Sequence, residues 1–152
     1  EIHPEIKLRT TFLVGFPGET QEDHKALCRF VKQAKFDRVG VFEYSHEEGT
    51  RGYVLEDDVP AEVKKQRAEE IMAIQQSISL AHNEAMIGKT LKVLIDRKEG
   101  GQYVGRSEYD SPEVDNEIWI DQTDKKLTPG SFVMVLITGA SDYDLKGIPI
   151  TK

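Results

Sequence analysis

The spacing of hydrophobic and polar positions changes period along the chain, and each change marks a new kind of element. An apolar, β-suited run, Thr10-Thr11-Phe12-Leu13-Val14, breaks at Gly15-Phe16-Pro17-Gly18. Thr20, with Asp23 three positions on in the manner of a capping box, then opens a helical pattern. Ala26, Leu27, Phe30, Val31 and Ala34 form its apolar stripe, which runs to about Lys35. Arg38-Val39-Gly40-Val41-Phe42-Glu43-Tyr44 follows as a short strand, and strand, helix, strand implies a right-handed parallel crossover. Residues 60–87 read as one long helix: Pro60 suits the first helical position, Glu62 the first turn, and Gly88 stops it. Ile71, Ile74, Ile78, Ala81 and Ala85 give it an apolar stripe, with the charged residues expected on a solvated face. Its length of about 40 Å is enough to cross one domain and deliver the chain to another.

Beyond Gly88 the pattern alternates. Leu91–Ile95, Tyr103–Arg106, Glu117–Ile120, Phe132–Ile137 and Tyr143–Gly147 read as strands, separated by turns at Glu99-Gly100-Gly101, Asp110-Ser111-Pro112 and Thr128-Pro129-Gly130. Five short strands predict a small, closed, antiparallel barrel of the OB type. The fold class expected is thus α/β followed by all-β: a β/α portion over 1–58, a connecting helix over 59–87 and the barrel over 88–152. Two strands and a helix are too few to close a barrel of their own, so the first portion is expected to be incomplete.

Composition narrows the function classes. No apolar run approaches the roughly 18 residues that span a bilayer, and the start, Glu1-Ile2-His3-Pro4, has neither the basic nor the apolar region of a signal peptide. A single cysteine, Cys28, rules out an internal disulfide and fits a reducing, cytoplasmic compartment. The net charge of −7 argues against a general nucleic-acid surface. Neither half hides a basic domain: residues 1–86 carry 11 basic and 16 acidic side chains, and residues 87–152 carry 9 and 11. His24 and Cys28 stand four apart and can share a helix face, but zinc needs three or four convergent ligands, and no second Cys or His pair stands nearby. Cys28 is therefore expected as a small residue at the edge of the apolar stripe, and no metal ligand is assigned. His3, His46 and His82 are isolated in sequence.

The chemistry-bearing stretches lie at strand ends. Ligand sites of open α/β sheets and α/β barrels sit beyond the carboxyl ends of the strands, and the Gly15–Gly18 corner occupies such a place. An ordinary β-to-α turn uses the same residues. Tyr44-Ser45-His46-Glu47-Glu48-Gly49-Thr50 follows the second strand and reads either as a second site loop or as a solvated acidic loop.

Leu13-Val14-Gly15-Phe16-Pro17-Gly18-Glu19-Thr20 resembles the late-strand segment of radical S-adenosylmethionine (SAM) enzymes, where the fifth strand of a partial barrel passes the adenosyl group. The Tyr44–Thr50 loop resembles the Tyr-Ser-x-Glu-Glu-Gly-Thr segment of the methylthiotransferases within that family. His46-Glu47-Glu48 matches the branch acting on a ribosomal protein, where the tRNA-modifying branch tends to carry Pro and Arg. Residues 87–152 are similar to the TRAM domain that closes these enzymes. Arg106-Ser107 followed by Asp110-Ser111-Pro112-Glu113-Val114-Asp115 again resembles the ribosomal-protein branch.

The resemblance implies the carboxyl-terminal part of an enzyme that adds a methylthio group to the β-carbon of an aspartate in the small-subunit ribosomal protein S-twelve. The parent would use SAM and two four-iron four-sulfur clusters. The cluster-binding cysteines are absent here, so the fragment is expected to be inactive and to bind no cluster. It implies Leu13, Val14, Gly15 and Phe16 on the adenosyl side of the SAM pocket, with Tyr44 and Ser45 approaching from the next strand. It assigns no catalytic residue.

A TRAM domain also implies RNA, and a tRNA-modifying methylthiotransferase is the second reading; a non-catalytic binding module is the third. An RNA platform combines a basic groove with exposed aromatics. From Glu108 to Asp124, however, seven acids occur without one Lys or Arg. Such a run is either a solvated surface or a dock for a basic protein. For docking, Arg106, Asp110, Glu113, Asp115 and Glu117 are the candidates.

Overall fold

The computed structural model describes residues 6–112, 115–121 and 126–150. They fall into two compact units, Glu1–Ile78 and Ser79–Lys152, taken separately below.

The first unit is built on the predicted strand, helix and strand: β1 (Arg9–Val14), α1 (Gln21–Ala34) and β2 (Arg38–Glu43). β1 and β2 pair in parallel, in register from Arg9↔Arg38 to Val14↔Glu43. Thr20 caps α1 as expected. Its hydroxyl accepts from the Asp23 amide at 3.2 Å, and the Asp23 carboxylate takes the Thr20 hydroxyl at 2.6 Å and the Thr20 amide at 2.9 Å, two bonds that hold Asp23 below the usual carboxylate range. Lys35, left-handed at φ 50, ends the helix.

The buried face of α1 is rotated from the expected stripe. His24, Cys28 and Val31 point inward, while Ala26 and Phe30 are exposed, so Cys28 sits in the core and not at its edge. Phe30 still contributes, closing an edge-to-face cluster with Phe12 and Phe36.

After a short 3₁₀ turn at Arg51–Val54 comes α2 (Ala61–Glu84), three residues shorter at its end than predicted. Ile71 is fully buried against Val14, Cys28 and Val31, and Ile74 and Ile78 pack beside it. The solvated charged face is only partly found: Lys64, Arg67 and Gln75 are buried, whereas Ala81 and Ala85 are exposed. One face of the sheet lies on this core through Phe12, Val14, Val39 and Val41. The opposite face is open: the register partners Leu13 and Phe42 are 51% and 64% exposed.

The second unit is a closed barrel of β3 (Thr90–Glu99), β4 (Gln102–Ser107), β5 (Ile118–Ile120), β6 (Phe132–Ala140) and β7 (Leu145–Pro149), in the order β3-β4-β5-β7-β6. Closure and strand number are as expected. The pairing is mixed, however, because β5 and β7 run parallel. A closed ring of five strands cannot alternate in direction throughout, so one neighbouring pair has to run parallel; here β7 lies between β5 and β6, which is the OB-type order.

Inward residues alternate along each strand, and Val93, Ile95, Tyr103, Ile118, Ile120, Val135, Ile137 and Leu145 form the core. The β3–β4 hairpin turns through Gly100 and Gly101, both at positive φ as a two-residue turn of that hand requires. On α2, the Asn83 amide donates to the Ser141 carbonyl at 2.8 Å, and its oxygen accepts from Asn116 at 3.1 Å, tying two barrel loops to that helix end.

Two strand glycines allow the barrel wall to close. A β-carbon at Gly105 would lie 2.3 Å from the Leu94 carbonyl oxygen and 2.7 Å from a Val93 methyl; at Gly147 it would meet a Val135 methyl at 2.4 Å. Gly105→Ala is therefore expected to destabilise the barrel by about 1–3 kcal/mol, measured by thermal or urea unfolding. A variant as stable as the parent chain would show that β3 and β4 separate without cost.

Candidate functional site

At the carboxyl end of β1, Phe16-Pro17-Gly18-Glu19 makes a tight turn closed by the Glu19 amide on the Phe16 carbonyl at 2.9 Å. Pro17 fixes the second position, and Gly18 supplies the positive φ of 81 that the third demands. Gly15, at φ 73, turns the chain out of the strand. Its amide donates to Glu19 Oε2 at 2.6 Å, so the carboxylate reaches back over the turn. Arg67 on α2 completes the arrangement, donating from Nη1 to Glu19 Oε1 at 2.9 Å and to the Glu19 carbonyl at 3.1 Å.

The following loop is fixed by the same helix. Lys64 Nζ donates to both oxygens of Asp57, at 2.6 and 2.8 Å, and to the Tyr44 carbonyl at 3.3 Å. A β-carbon at Gly15 would lie 2.3 Å from Lys64 Cγ, so the glycine lets α2 approach the strand end. The Gly18 amide donates to Asp58 at 2.8 Å, and the Tyr44 amide to the Val14 carbonyl at 2.8 Å.

Four of the six residues predicted at the cofactor corner meet on its outer side or lead into it. Phe16 and Tyr44 pack edge to face at 5.1 Å, Gly15 shapes the turn, and Leu13 stands on the open sheet face. Val14 is fully buried and points the other way, into the core. Ser45 is exposed, its hydroxyl donating to Glu47 at 2.6 Å within its own loop. The apolar and aromatic surface of Leu13, Phe16 and Tyr44 fits one side of a nucleoside. Iron–sulfur clusters do not fit these residues, since they need several thiolates and the chain has one cysteine. Burial, reinforced by Glu70, pushes the Cys28 thiol up.

The predicted docking residues are tied into the barrel. Arg106 pairs with Asp96, Asp110 accepts from the Ser107 hydroxyl at 2.5 Å, and Asp115 accepts from the Ser111 amide at 2.6 Å. Glu117 takes a two-pronged bond from Arg97, at 2.6 and 2.9 Å. Glu113 lies outside the described residues. Asp110, Asp115 and Glu117 therefore brace the described residues between β4 and β5 as well as charging them.

Sequence reasoning missed Lys64, Arg67 and Glu70, all on α2. The signal for the first two was present: positions 64, 67, 71 and 75 continue the buried stripe at helical spacing, with long polar side chains in place of apolar ones.

The TRAM domain family matches residues 87–150. The whole chain is similar to proteins named ribosomal protein uS12 methylthiotransferase RimO. It is 53% identical to the one from Christiangramia forsetii over 97% of this chain and 33% of that relative. It is 52% identical to one from Porphyromonas gingivalis over 93% of this chain and 33% of the relative, and 49% to one from a Thermoanaerobacter species over 95% and 33%. The chain thus spans about one third of the length of the curated relatives it matches. Among the described residues, no helix is long and apolar enough to cross a membrane.

The Arg67 and Glu19 side chains are only 7% and 13% exposed, so removing one leaves a buried charge without its partner. Arg67→Ala is expected to destabilise the first unit by about 3 kcal/mol in urea unfolding, and Glu19→Gln by less, because the amide oxygen still accepts from Arg67. Equal, negligible losses would remove the pair from its organising role.

For Glu117, hydrogen bonds from Arg97 hold the carboxyl below the usual glutamate range, against the opposing effect of burial. A depressed folded-state value contributes stability above the ordinary range that is lost as pH falls through the folded value. Glu117→Gln should flatten the acid limb of the melting temperature against pH, and high salt should shrink the difference. An unchanged acid limb would show that the pair carries no net stability.

Proposed function

We propose that the chain is the carboxyl-terminal portion of a radical SAM methylthiotransferase, on the ground of its similarity to the uS12 methylthiotransferases over about one third of their length and to the TRAM domain over residues 87–150. Its substrate is an aspartate of the small-subunit ribosomal protein uS12, modified at the β-carbon. The geometry that best supports this reading is the open sheet face carrying Leu13 and Phe42. Parallel strands are normally covered on both faces, and a two-stranded sheet is marginal alone. A two-stranded parallel sheet with exposed aliphatic and aromatic partners therefore suits the tail of a larger barrel, with residues 1–58 as barrel, 59–87 as connecting helix and 88–152 as TRAM domain.

Bound SAM and two iron–sulfur clusters supply the radical and sulfur chemistry of the parent. The residues of this chain bind and orient. Leu13, Phe16 and Tyr44 offer a surface to the adenosyl group, Gly15 and the Val14 carbonyl set the strand end beneath it, and Ser45 borders it. The clusters are held elsewhere in the parent, so the chain by itself is inactive. In the TRAM domain, Arg106, Asp110, Glu113, Asp115 and Glu117 form an acidic dock for the basic ribosomal protein. The enzyme works in the cytoplasm, where ribosomal proteins are made.

A second reading, tRNA as substrate, is favoured by one feature of the barrel wall. Phe132 is 63% exposed, with the Lys92 ammonium 4.5 Å from its ring centre, a pairing suited to stacking a base beside a phosphate.

A pull-down of uS12 and of tRNA by the purified chain, repeated across salt, separates the two. Retention of uS12, weakened by Asp110→Asn with Asp115→Asn and by salt, is the expected result. Retention of tRNA alone, with a steep salt slope, would overturn the choice of substrate. Stoichiometric iron–sulfur cluster on the purified chain would overturn the placement of the clusters.

A further inference from the structure

Besides the strand-end corner, the first unit brings three metal-binding side chains to one point. His24 and Cys28 lie one turn apart on α1, and Glu70 reaches them from α2. His24 Nε2 is 2.9 Å from Glu70 Oε2 and 3.5 Å from Cys28 Sγ, and the three ligand atoms lie within 4.8 Å of one another. His24 is 1% exposed and Cys28 is buried, whereas the Glu70 side chain is 54% exposed. The site thus has two ligands in the core and one at its mouth. Beside it runs a groove of about 440 Å³, lined by Lys32, Glu70, Ile74 and Ser77, which gives an ion access.

We propose that His24, Cys28 and Glu70 form a binding site for a single divalent metal ion of the zinc class. The arrangement does not suit nucleophilic catalysis. A thiol activated through histidine by an acid needs the two partners on opposite ring nitrogens. Here both face Nε2, and Nδ1 has no hydrogen-bond partner among the described residues. Convergence of a ring nitrogen, a sulfur and a carboxylate oxygen on one space is what a cation requires.

The distances agree with that. Zinc bonds of about 2.0–2.3 Å in tetrahedral geometry place neighbouring ligand atoms about 3.3–3.6 Å apart. The nitrogen and sulfur already stand at that separation; Glu70, on a flexible side chain at the rim, has to withdraw from the ring nitrogen by a few tenths of an ångström and to swing toward the sulfur, from which it stands no more than 4.8 Å away. Thiolate and carboxylate together neutralise a divalent ion, and binding displaces the thiol proton. The fourth position is left for water or an external ligand, as at zinc sites with three protein ligands. With nothing holding Nδ1, binding is about 10–100-fold weaker than at a site whose histidine is buttressed by a second hydrogen bond.

The test uses Zn²⁺ to measure stoichiometry and Co²⁺ as a spectroscopic probe on the purified protein. One equivalent of Zn²⁺ is expected, and Co²⁺ should show a thiolate-to-metal charge-transfer band with the visible bands of a four-coordinate ion. Cys28→Ser should abolish the charge-transfer band. Glu70→Gln, at the exposed rim where folding is not at stake, should keep the band and weaken binding at least about tenfold. Glu69→Gln, on the solvent side of the same helix, should change nothing, and circular dichroism checks that each variant is folded. Failure to retain Zn²⁺, a cobalt spectrum without the charge-transfer band, or binding indifferent to Glu70→Gln would each overturn the proposal.

Discussion

The first unit depends on a carboxylate held from two sides. Glu19 takes the Gly15 amide on one oxygen and Arg67 on the other, so one side chain closes the turn after β1 and fastens it to α2. Both charges are nearly out of water, an arrangement that is costly unless the hydrogen bonds are satisfied. The Glu19 oxygens and Arg67 Nη1 have their partners. The pair is better understood as fixing geometry than as a source of net stability, because an apolar replacement of equal volume would hold the helix but leave the Gly15 amide unbonded. Lys64 acts in parallel, linking Asp57 and the Tyr44 carbonyl, so two successive turns of α2 set the positions of the two strand ends.

The barrel relies on backbone fit more than on charge. Gly105 and Gly147 allow neighbouring strands to approach where any side chain would strike a carbonyl oxygen or a methyl, and the alternating core fills the space that results. Its acidic loop is stitched by short local bonds from Ser107 and Ser111 and by the Arg97–Glu117 pair.

Much of this was legible in the residues. Thr20 and Asp23 announced the cap of α1, the Gly-Phe-Pro-Gly corner announced its turn, and the change of period after Gly88 announced five strands. What was hidden follows from how periodicity is read. A helical stripe counts Lys64 and Arg67 as solvent-facing, because their charge outweighs their length, yet the stems are buried and only the heads needed partners. The same habit left the buried His24 off the apolar stripe and put the exposed Phe30 on it. Glu70 could not be found at all by local spacing, since it meets His24 across 46 positions of chain. The parallel pairing of β5 with β7 was equally out of reach, because alternation fixes which face a residue takes and says nothing about which strand lies next to it.

That pairing bears on how the barrel is made. Leu145–Pro149 is the last of the five barrel strands to leave the ribosome, yet it is the one that joins β5 to β6. During vectorial synthesis the earlier strands must wait as an unclosed ladder with two bare rims, the state in which nascent β proteins most readily stick to one another. Short β5, only three residues long, leaves little of one rim to be captured while the keystone is still in the exit tunnel.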